Sequence, residues 1–313
     1  MSSYRFNPLN NFTPLSEIQL NQYLERIHLA DMSLPQEPNL DLLNKVLYAH
    51  SQYIPFENGQ LRFLDTKPSI DPQLLFDSLV TANRGGYCFQ VNTLLLSALR
   101  ALGFTATPGV ARSSVWDKEL QDRVLGSTTH MIVFVEFQDR GLYIADMGYN
   151  QIGMVNALKV EEGSEIGCAA GEMHRIIKSD ITGDGFLVCH KRAEGVPLAE
   201  GVHPNGDGFA PLFYFTRERY RPQDYEVLNY FVSHSPVHIM MRSFIASIVT
   251  PTGGRAVIVD KKFKRREDAR HSHLERVLDM TLVEELVEVM KSEFGIEMSE
   301  AEVDGARKVL FSE

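Results

Sequence analysis

The chain has 313 residues, 44% of them apolar and 23% charged, and a formal net charge of −10. That acidic balance argues against nonspecific binding to nucleic acid or to an anionic membrane, which needs an excess of Lys and Arg, but it leaves room for a small anionic ligand on a local patch. The length is more than one hydrophobic core needs and predicts two or three subdomains, and no run approaches the ~20 apolar residues of a membrane span.

The chain opens on Met1-Ser2-Ser3-Tyr4-Arg5-Phe6-Asn7, without the apolar core of a secretory signal. From Ser16 to about Gly103 the pattern is helical. Ser16 precedes Ile18, Leu20, Tyr23, Leu24 and Ile27, spaced for one buried face. Asn39 caps a second helix carrying Leu40, Leu42, Leu43, Val46 and Leu47. A third runs from Asp71 through Leu74, Leu75, Leu79 and Val80. A fourth begins near Cys88 and ends at Leu102-Gly103, a glycine stop.

After Gly103 short β-branched and aromatic runs alternate with turn residues. Met131 to Phe137, a turn over Gln138-Asp139-Arg140-Gly141, and Leu142 to Ala145 form a β-hairpin. Phe186 to Cys189 and Leu212 to Phe215 are further strands, with turns at Gly183-Asp184-Gly185 and Asn205-Gly206-Asp207-Gly208. The middle third therefore predicts an antiparallel barrel or curled sheet. From about Arg217 the pattern mixes. Phe244 to Val249, a turn at Pro251 to Gly254, and Ala256 to Val259 form a second hairpin. A helix over Thr281 to Phe294 carries a Thr281-x-x-Glu284 capping-box signature.

One cysteine stands out from this background. In Arg84-Gly85-Gly86-Tyr87-Cys88-Phe89-Gln90, two glycines give way to an apolar helical segment, so Cys88 falls at a helix N-terminus. Free N–H groups and the positive end of the helix dipole favour a thiolate there, and the thiolate is the nucleophilic form. Cys168 and Cys189 have no recognisable partners and read as structural. The wide spacing of the three and the lack of a CxxC pair point to no metal site and to a reducing, cytoplasmic setting.

A nucleophilic cysteine needs a base and a group that orients the base. Among ten histidines, His271 and His273 lie in a charged stretch and His203 in a turn-rich loop, whereas His130 opens the first strand of the 131–145 hairpin and Asp146 closes the second. Centring the turn on 138–141 sets His130 opposite about Gly148, two positions from Asp146. An even register puts both side chains on one face as diagonal neighbours; an odd one separates them. Each residue alone also has a plain structural reading: a buried cysteine is a small hydrophobe, and a His or Asp at a strand end is a turn residue.

The motifs resemble those of the arylamine N-acetyltransferases. Arg84-Gly85-Gly86-Tyr87-Cys88-Phe89 is similar to the family signature. Ile54-Pro55-Phe56-Glu57-Asn58, Thr129-His130-Met131, Tyr143 to Tyr149, and Asp224-Tyr225-Glu226 with Asn229 and Ser235-Pro236 resemble its other segments, in family order. The resemblance implies an α+β fold in three parts: a helical bundle over 1–103, an antiparallel β-barrel over 104–216 and an α/β lid over 217–313. It implies a Cys88, His130, Asp146 triad in a papain- or transglutaminase-like arrangement. The implied reaction carries an acetyl group from acetyl-CoA, through a Cys88 thioester, to an aromatic amine, hydrazine or hydroxylamine.

It also implies that Phe56, Thr129 and Tyr149 line the acceptor pocket, and that Ser127, Thr128 and Phe231 lie near coenzyme A. The partners implied are the small amine and the coenzyme A thioester, with neither nucleic acid nor membrane. Gln90 replaces a common Glu, and Asn150 replaces a glycine in the loop after Asp146. The basic run Lys261 to Arg266 reads as a solvated strand or loop, or as a contact for phosphates. Three alternatives stay open: malonyl-CoA as the donor, a coenzyme A-independent thiol hydrolase or transglutaminase-like enzyme, and a non-catalytic binding protein of the same fold.

Overall fold

Capping side chains set the first third of the chain in the computed structural model, which describes residues 12–31, 37–117, 119–120, 122–149, 152–179, 181, 183–196, 204–268 and 275–312. Ser16 and Gln19 form a reciprocal capping box at the start of α1 (Glu17–Arg26). Asn39 accepts the Leu42 N–H at the start of α2 (Leu40–Tyr53). The chain then makes β1 (Phe56–Glu57), α3 (Gly59–Leu64) and α4 (Pro72–Phe76), whose N-cap Asp71 accepts from Gln73 and Leu74. The third expected helix does reach Val80, but past Phe76 it widens into a π-turn over Asp77–Thr81. Next comes α5 (Cys88–Ala101), apolar on nearly every side and buried accordingly; it stops at Gly103, which takes a φ of +88°.

The next strands are β2 (Thr105–Asp117), β3 (Asp122–Phe137), β4 (Gly141–Ala145), β5 (Leu158–Lys159), β6 (Glu165–Gly167), β7 (Met173–Ser179), β8 (Gly185–Lys191) and β9 (Ala210–Thr216). They form one antiparallel sheet in the order β5-β4-β3-β2-β9-β8-β7-β6. In the β3–β4 hairpin Val133 faces Ala145 and Phe137 faces Gly141. This is the even register, so His130 and Asp146 project to the same side. Period-two alternation also splits the hairpin between two cores. Met131, Val133, Val135, Tyr143 and Ala145 pack against α5, while Ile132, Phe134 and Ile144 join Phe213 and Phe215 inside the curled sheet.

The last third adds α6 (Pro222–His234), α7 (Ile239–Arg242), β10 (Ile245–Val249), β11 (Gly253–Val259), β12 (Lys262–Asp268), β13 (Glu275–Asp279), α8 (Val283–Phe294) and α9 (Glu300–Leu310). The second sheet runs β1-β10-β11-β12-β13, so the short β1 edge ties it to the helical part. Ala246, Ile258 and Phe263 of this sheet pack against Leu286, Met290 and Ala306 of α8 and α9.

The expected capping box at Thr281 is displaced by one position. The N-cap is Leu282, and Glu285, not Glu284, reaches back to the N–H groups of Thr281 and Leu282. The basic run is mostly β12, and several of its charges are paired, the two arginines with buried or half-buried carboxylates and Lys262 at the surface. Arg266 reaches the buried Glu172 at 2.8 Å, Arg265 pairs with Glu293, and Lys262 lies 3.4 Å from Asp279. With Arg255 at 2.9 Å on the same carboxylate, Glu172 joins the two sheets through a buried ion cluster. Among the described residues no helix is long and apolar enough to cross a membrane. Met1 to Asn7, Asn150, His203, His271 and His273 lie outside the described residues.

Candidate active site

The loop carrying Cys88 is held against β1 by its backbone. Gly86 N–H donates to Pro55 O at 3.2 Å, and Glu57 N–H donates to Gly86 O at 3.0 Å. The approach is so close that a Cβ on Gly85 would fall 2.3 Å from Pro55 O. That is why a glycine stands there. Tyr87 is extended, its N–H meets Gln90 Oε1 at 3.3 Å, and its hydroxyl donates to Asn229 Oδ1 of α6. Gln90 thus does the capping work of the commoner Glu. Cys88 then starts α5, where helix geometry leaves amide N–H groups unpaired.

Three elements converge on this sulfur. β3 bulges beside it: Ala111 pairs with His130 and Arg112 with Thr128, so Thr129 is an extra residue. The bulge brings Thr129 O to 3.9 Å from Cys88 Sγ and sets the His130 ring near enough to the thiol for the two to interact electrostatically. On its other side, His130 Nε2 lies 2.7 Å from Asp146 Oδ2. With Nε2 engaged there, Nδ1 is the ring atom left for Cys88. Both His130 and Asp146 are buried.

Asp146 is itself held. Its Oδ1 accepts from Asn92 Nδ2 at 2.9 Å and from Gly148 N–H at 2.8 Å. Asn92 also donates to Met131 O at 2.6 Å and accepts from Met147 N–H at 2.9 Å. One buried amide therefore fastens α5, β3 and the loop after β4 to each other. Asn92 is absent from the sequence-derived candidates. Its signal is an amide inside an apolar helix, one turn beyond Cys88, where only a satisfied polar group is tolerated. Gly148 is a second such residue: a Cβ there would lie 2.5 Å from Cys88 Cα.

The electrostatics follow from this packing. Burial alone would lower the His130 pKa. The charge and hydrogen bond of Asp146, with a smaller contribution from Cys88, outweigh that and raise it to about 10. At neutral pH the ring is therefore an imidazolium beside a sulfur. The arrangement suits nucleophilic attack at the sulfur followed by proton return.

The other sequence-derived residues are distributed as follows. Thr129 forms the bulge, and its hydroxyl donates to Ser127 O at 3.2 Å. Tyr149 stands edge-on to His130, with ring centres 5.1 Å apart; its hydroxyl donates its proton to Leu212 O at 2.8 Å. Phe213, not foreseen from the sequence, joins them, its ring centre 5.3 Å from that of His130 and 5.1 Å from that of Tyr149. Phe56 is buried opposite Ser247 on β10 and lines a small cavity with Met147 and Arg255. Ser127 and Thr128 continue β3 outward from the bulge. Phe231 is partly exposed on α6, and its ring contact is with His238. Cys168 and Cys189 form no disulfide, and burial pushes the Cys189 thiol up to about 11.

Residues 39–303 match a family model described as N-acetyltransferase. The N-malonyltransferase FDB2 of Fusarium pseudograminearum is 29% identical over 259 residues, covering 76% of this chain and 74% of that protein. The arylamine N-acetyltransferase of Mycobacterium tuberculosis is 29% identical over 235 residues, covering 74% of this chain and 75% of its own. The structure of Mycobacterium marinum arylamine N-acetyltransferase in complex with CoA superposes with a TM-score of 0.76 at 23% identity, covering 93% of this chain and 100% of that one.

Proposed function

The chain belongs to the arylamine N-acetyltransferase family, and on that premise we propose that Cys88, His130 and Asp146 are its acyl-transfer triad. The enzyme is an acyl-CoA-dependent N-acetyltransferase with acetyl-CoA as co-substrate. A soluble, cytoplasmic enzyme meeting coenzyme A thioesters and small aromatic amines, hydrazines or hydroxylamines is the setting that fits. The observation that carries the triad is His130, 2.7 Å from Asp146 and in electrostatic reach of Cys88, which is the first residue of α5.

The reaction runs in two halves. The Cys88 thiolate adds to the thioester carbonyl, forming a carbon–sulfur bond and an oxyanion, for which the Cys88 N–H is the nearest backbone donor. Collapse expels the coenzyme A thiolate, which takes the proton of the His130 imidazolium. An unprotonated amine then attacks the acyl-Cys88 carbonyl. Its proton passes to His130, and the Cys88 thiolate leaves, restoring the starting ion pair. Thioester exchange with a thiol is nearly isoenergetic, so the acyl group is stored without a deep trap. Phe56, Thr129 and Tyr149 are assigned to the acceptor side, and Ser127, Thr128 and Phe231 to coenzyme A. A malonyl donor is the second reading, supported by the N-malonyltransferase relative.

Intact-mass measurement after mixing with acetyl-CoA or malonyl-CoA, without acceptor, tests both. One acetyl group per chain on the wild type and none on Cys88→Ala is expected. Acylation of Cys88→Ala to the same extent overturns the assignment of the nucleophile, and preferential malonylation selects the second reading.

A further inference from the structure

The nucleophile loop has a second support, supplied by the far end of the chain. Arg84 lies four residues before Cys88, and its side chain is 10% exposed. Its guanidinium grips Glu302 of α9 with both terminal nitrogens: Nη2 to Oε1 at 2.6 Å and Nη1 to Oε2 at 3.1 Å. A longer contact of 3.4 Å joins Nη2 to Glu57 on β1. A two-pronged guanidinium–carboxylate pair fixes direction as well as distance. Here it spans 218 residues of sequence.

Glu302 is buried and preset. Its Oε2 accepts from the Ser299 N–H at 2.9 Å and from the Ser299 hydroxyl at 2.9 Å, in the capping box that starts α9. α9 is in turn seated backbone to backbone on α3. A Cβ on Gly305 would fall 2.0 Å from Phe63 O, and Ala306 is fully buried. The carboxylate thus stands on a rigid mount. Beyond Arg84 the loop has little freedom, because Gly85 and Gly86 lie against Pro55 and Glu57. Without Glu302 the Arg84 side chain loses its two-pronged anchor, and the backbone that leads into Cys88 loses one of its supports.

Resting on the triad reading above, we propose that Glu302 is a positioning residue for acyl transfer: through Arg84 it fixes the backbone that presents the Cys88 sulfur and N–H to the thioester. Displacement by an ångström is enough to slow such a step a hundredfold. The effect belongs to formation of the acyl-enzyme and not to amine binding, which uses other surfaces.

The test is rapid-quench intact mass of acyl-enzyme formation from acetyl-CoA, with steady-state kinetics and a melting curve. Glu302→Gln is expected to form the acyl-enzyme at least tenfold more slowly, with kcat/KM for the amine within twofold of wild type. Glu302→Asp, which keeps the charge but shortens the reach, is expected to fall between the two, and it serves if Glu302→Gln does not fold. Glu293→Gln breaks the Arg265 pair between α8 and β12 and is expected to leave acylation unchanged. In the Arg84→Met background, Glu302→Gln is expected to add nothing further. Folded Glu302→Asp or Glu302→Gln acylating at the wild-type rate overturns the inference, as does equal slowing by Glu293→Gln or full additivity with Arg84→Met. The wild type's own acylation is the separate test of the triad.

Discussion

The sharpest test of the proposed triad is Asp146→Asn, because the surrounding donors dictate how the new amide sits. Oδ1 of Asp146 receives two donors, Asn92 Nδ2 at 2.9 Å and Gly148 N–H at 2.8 Å. An NH2 group there would face both, so the amide oxygen keeps that place. The NH2 then replaces Oδ2, 2.7 Å from His130 Nε2. It can only donate, and His130 must turn Nε2 into an acceptor and carry its proton on Nδ1, towards Cys88. In that tautomer the ring cannot take a proton from the thiol. The imidazolium also loses the partner that raises its pKa to about 10 against burial.

Removal of a triad carboxylate with this tautomer inversion costs roughly 10³–10⁴ in rate, or about 4–5.5 kcal/mol of barrier. Acyl-enzyme formation at pH 7, followed by intact mass, is expected to slow by that factor. Melting should show one cooperative transition, confirming that the variant is folded. A folded Asp146→Asn enzyme acylating within tenfold of wild type would refute the tautomer argument.

Two further outcomes follow from the packing. Gly148→Ala drives a Cβ to 2.5 Å from Cys88 Cα and 2.9 Å from Asn92 Nδ2; overpacking of about 1–3 kcal/mol should appear in the melting temperature, together with slowed acylation, and unchanged values of both would contradict so close a contact between loop and helix. Burial, aided by Arg26, lowers the His50 pKa to about 3, and burial, aided by His190 and Arg255, lowers that of His174 to about 3, against an ordinary value of 6.5. Both rings are therefore neutral in the fold. The stability tied to them is fully present above about pH 6.5 and is lost as pH falls towards 3, since only the unfolded chain takes up the protons. Chemical denaturation of His174→Gln between pH 6 and 4 should show a pH slope shallower by up to about 1.4 kcal/mol per pH unit, and an unchanged slope would count against a neutral His174.

Much of this site is legible in the sequence because its determinants are local. The glycine pair before Cys88 marks a helix start, and α5 begins at Cys88; the packing of Gly85 against Pro55 is seen only in the fold. The hairpin turn at 138–141 gives the diagonal of His130 and Asp146 to within a parity. That parity is decided by the pairing of Val133 with Ala145, which puts odd positions on α5 and even ones in the curled sheet. The bulge at Thr129 is not legible. It adds a residue only opposite β2, and no turn residue or glycine announces it.

The remainder is hidden for a different physical reason: its partners are far apart in sequence. The charges of Lys261 to Arg266 look solvated in a local window, yet Arg266 is committed to Glu172, 94 residues away. Ser299-x-x-Glu302 is a capping-box pattern, which marks a helix start and says nothing about Arg84. The same carboxylate satisfies both roles because Oε2 accepts from Ser299 and from Arg84 Nη1, while Oε1 accepts from Arg84 Nη2. A local rule and a long-range contact thus converge on one side chain. This explains why the end of the chain, the least readable part, bears on the residue that is easiest to find. A helix placed to cap itself also carries a second counter-charge for the nucleophile loop, whose near neighbour Glu57 meets Arg84 at the longer distance of 3.4 Å.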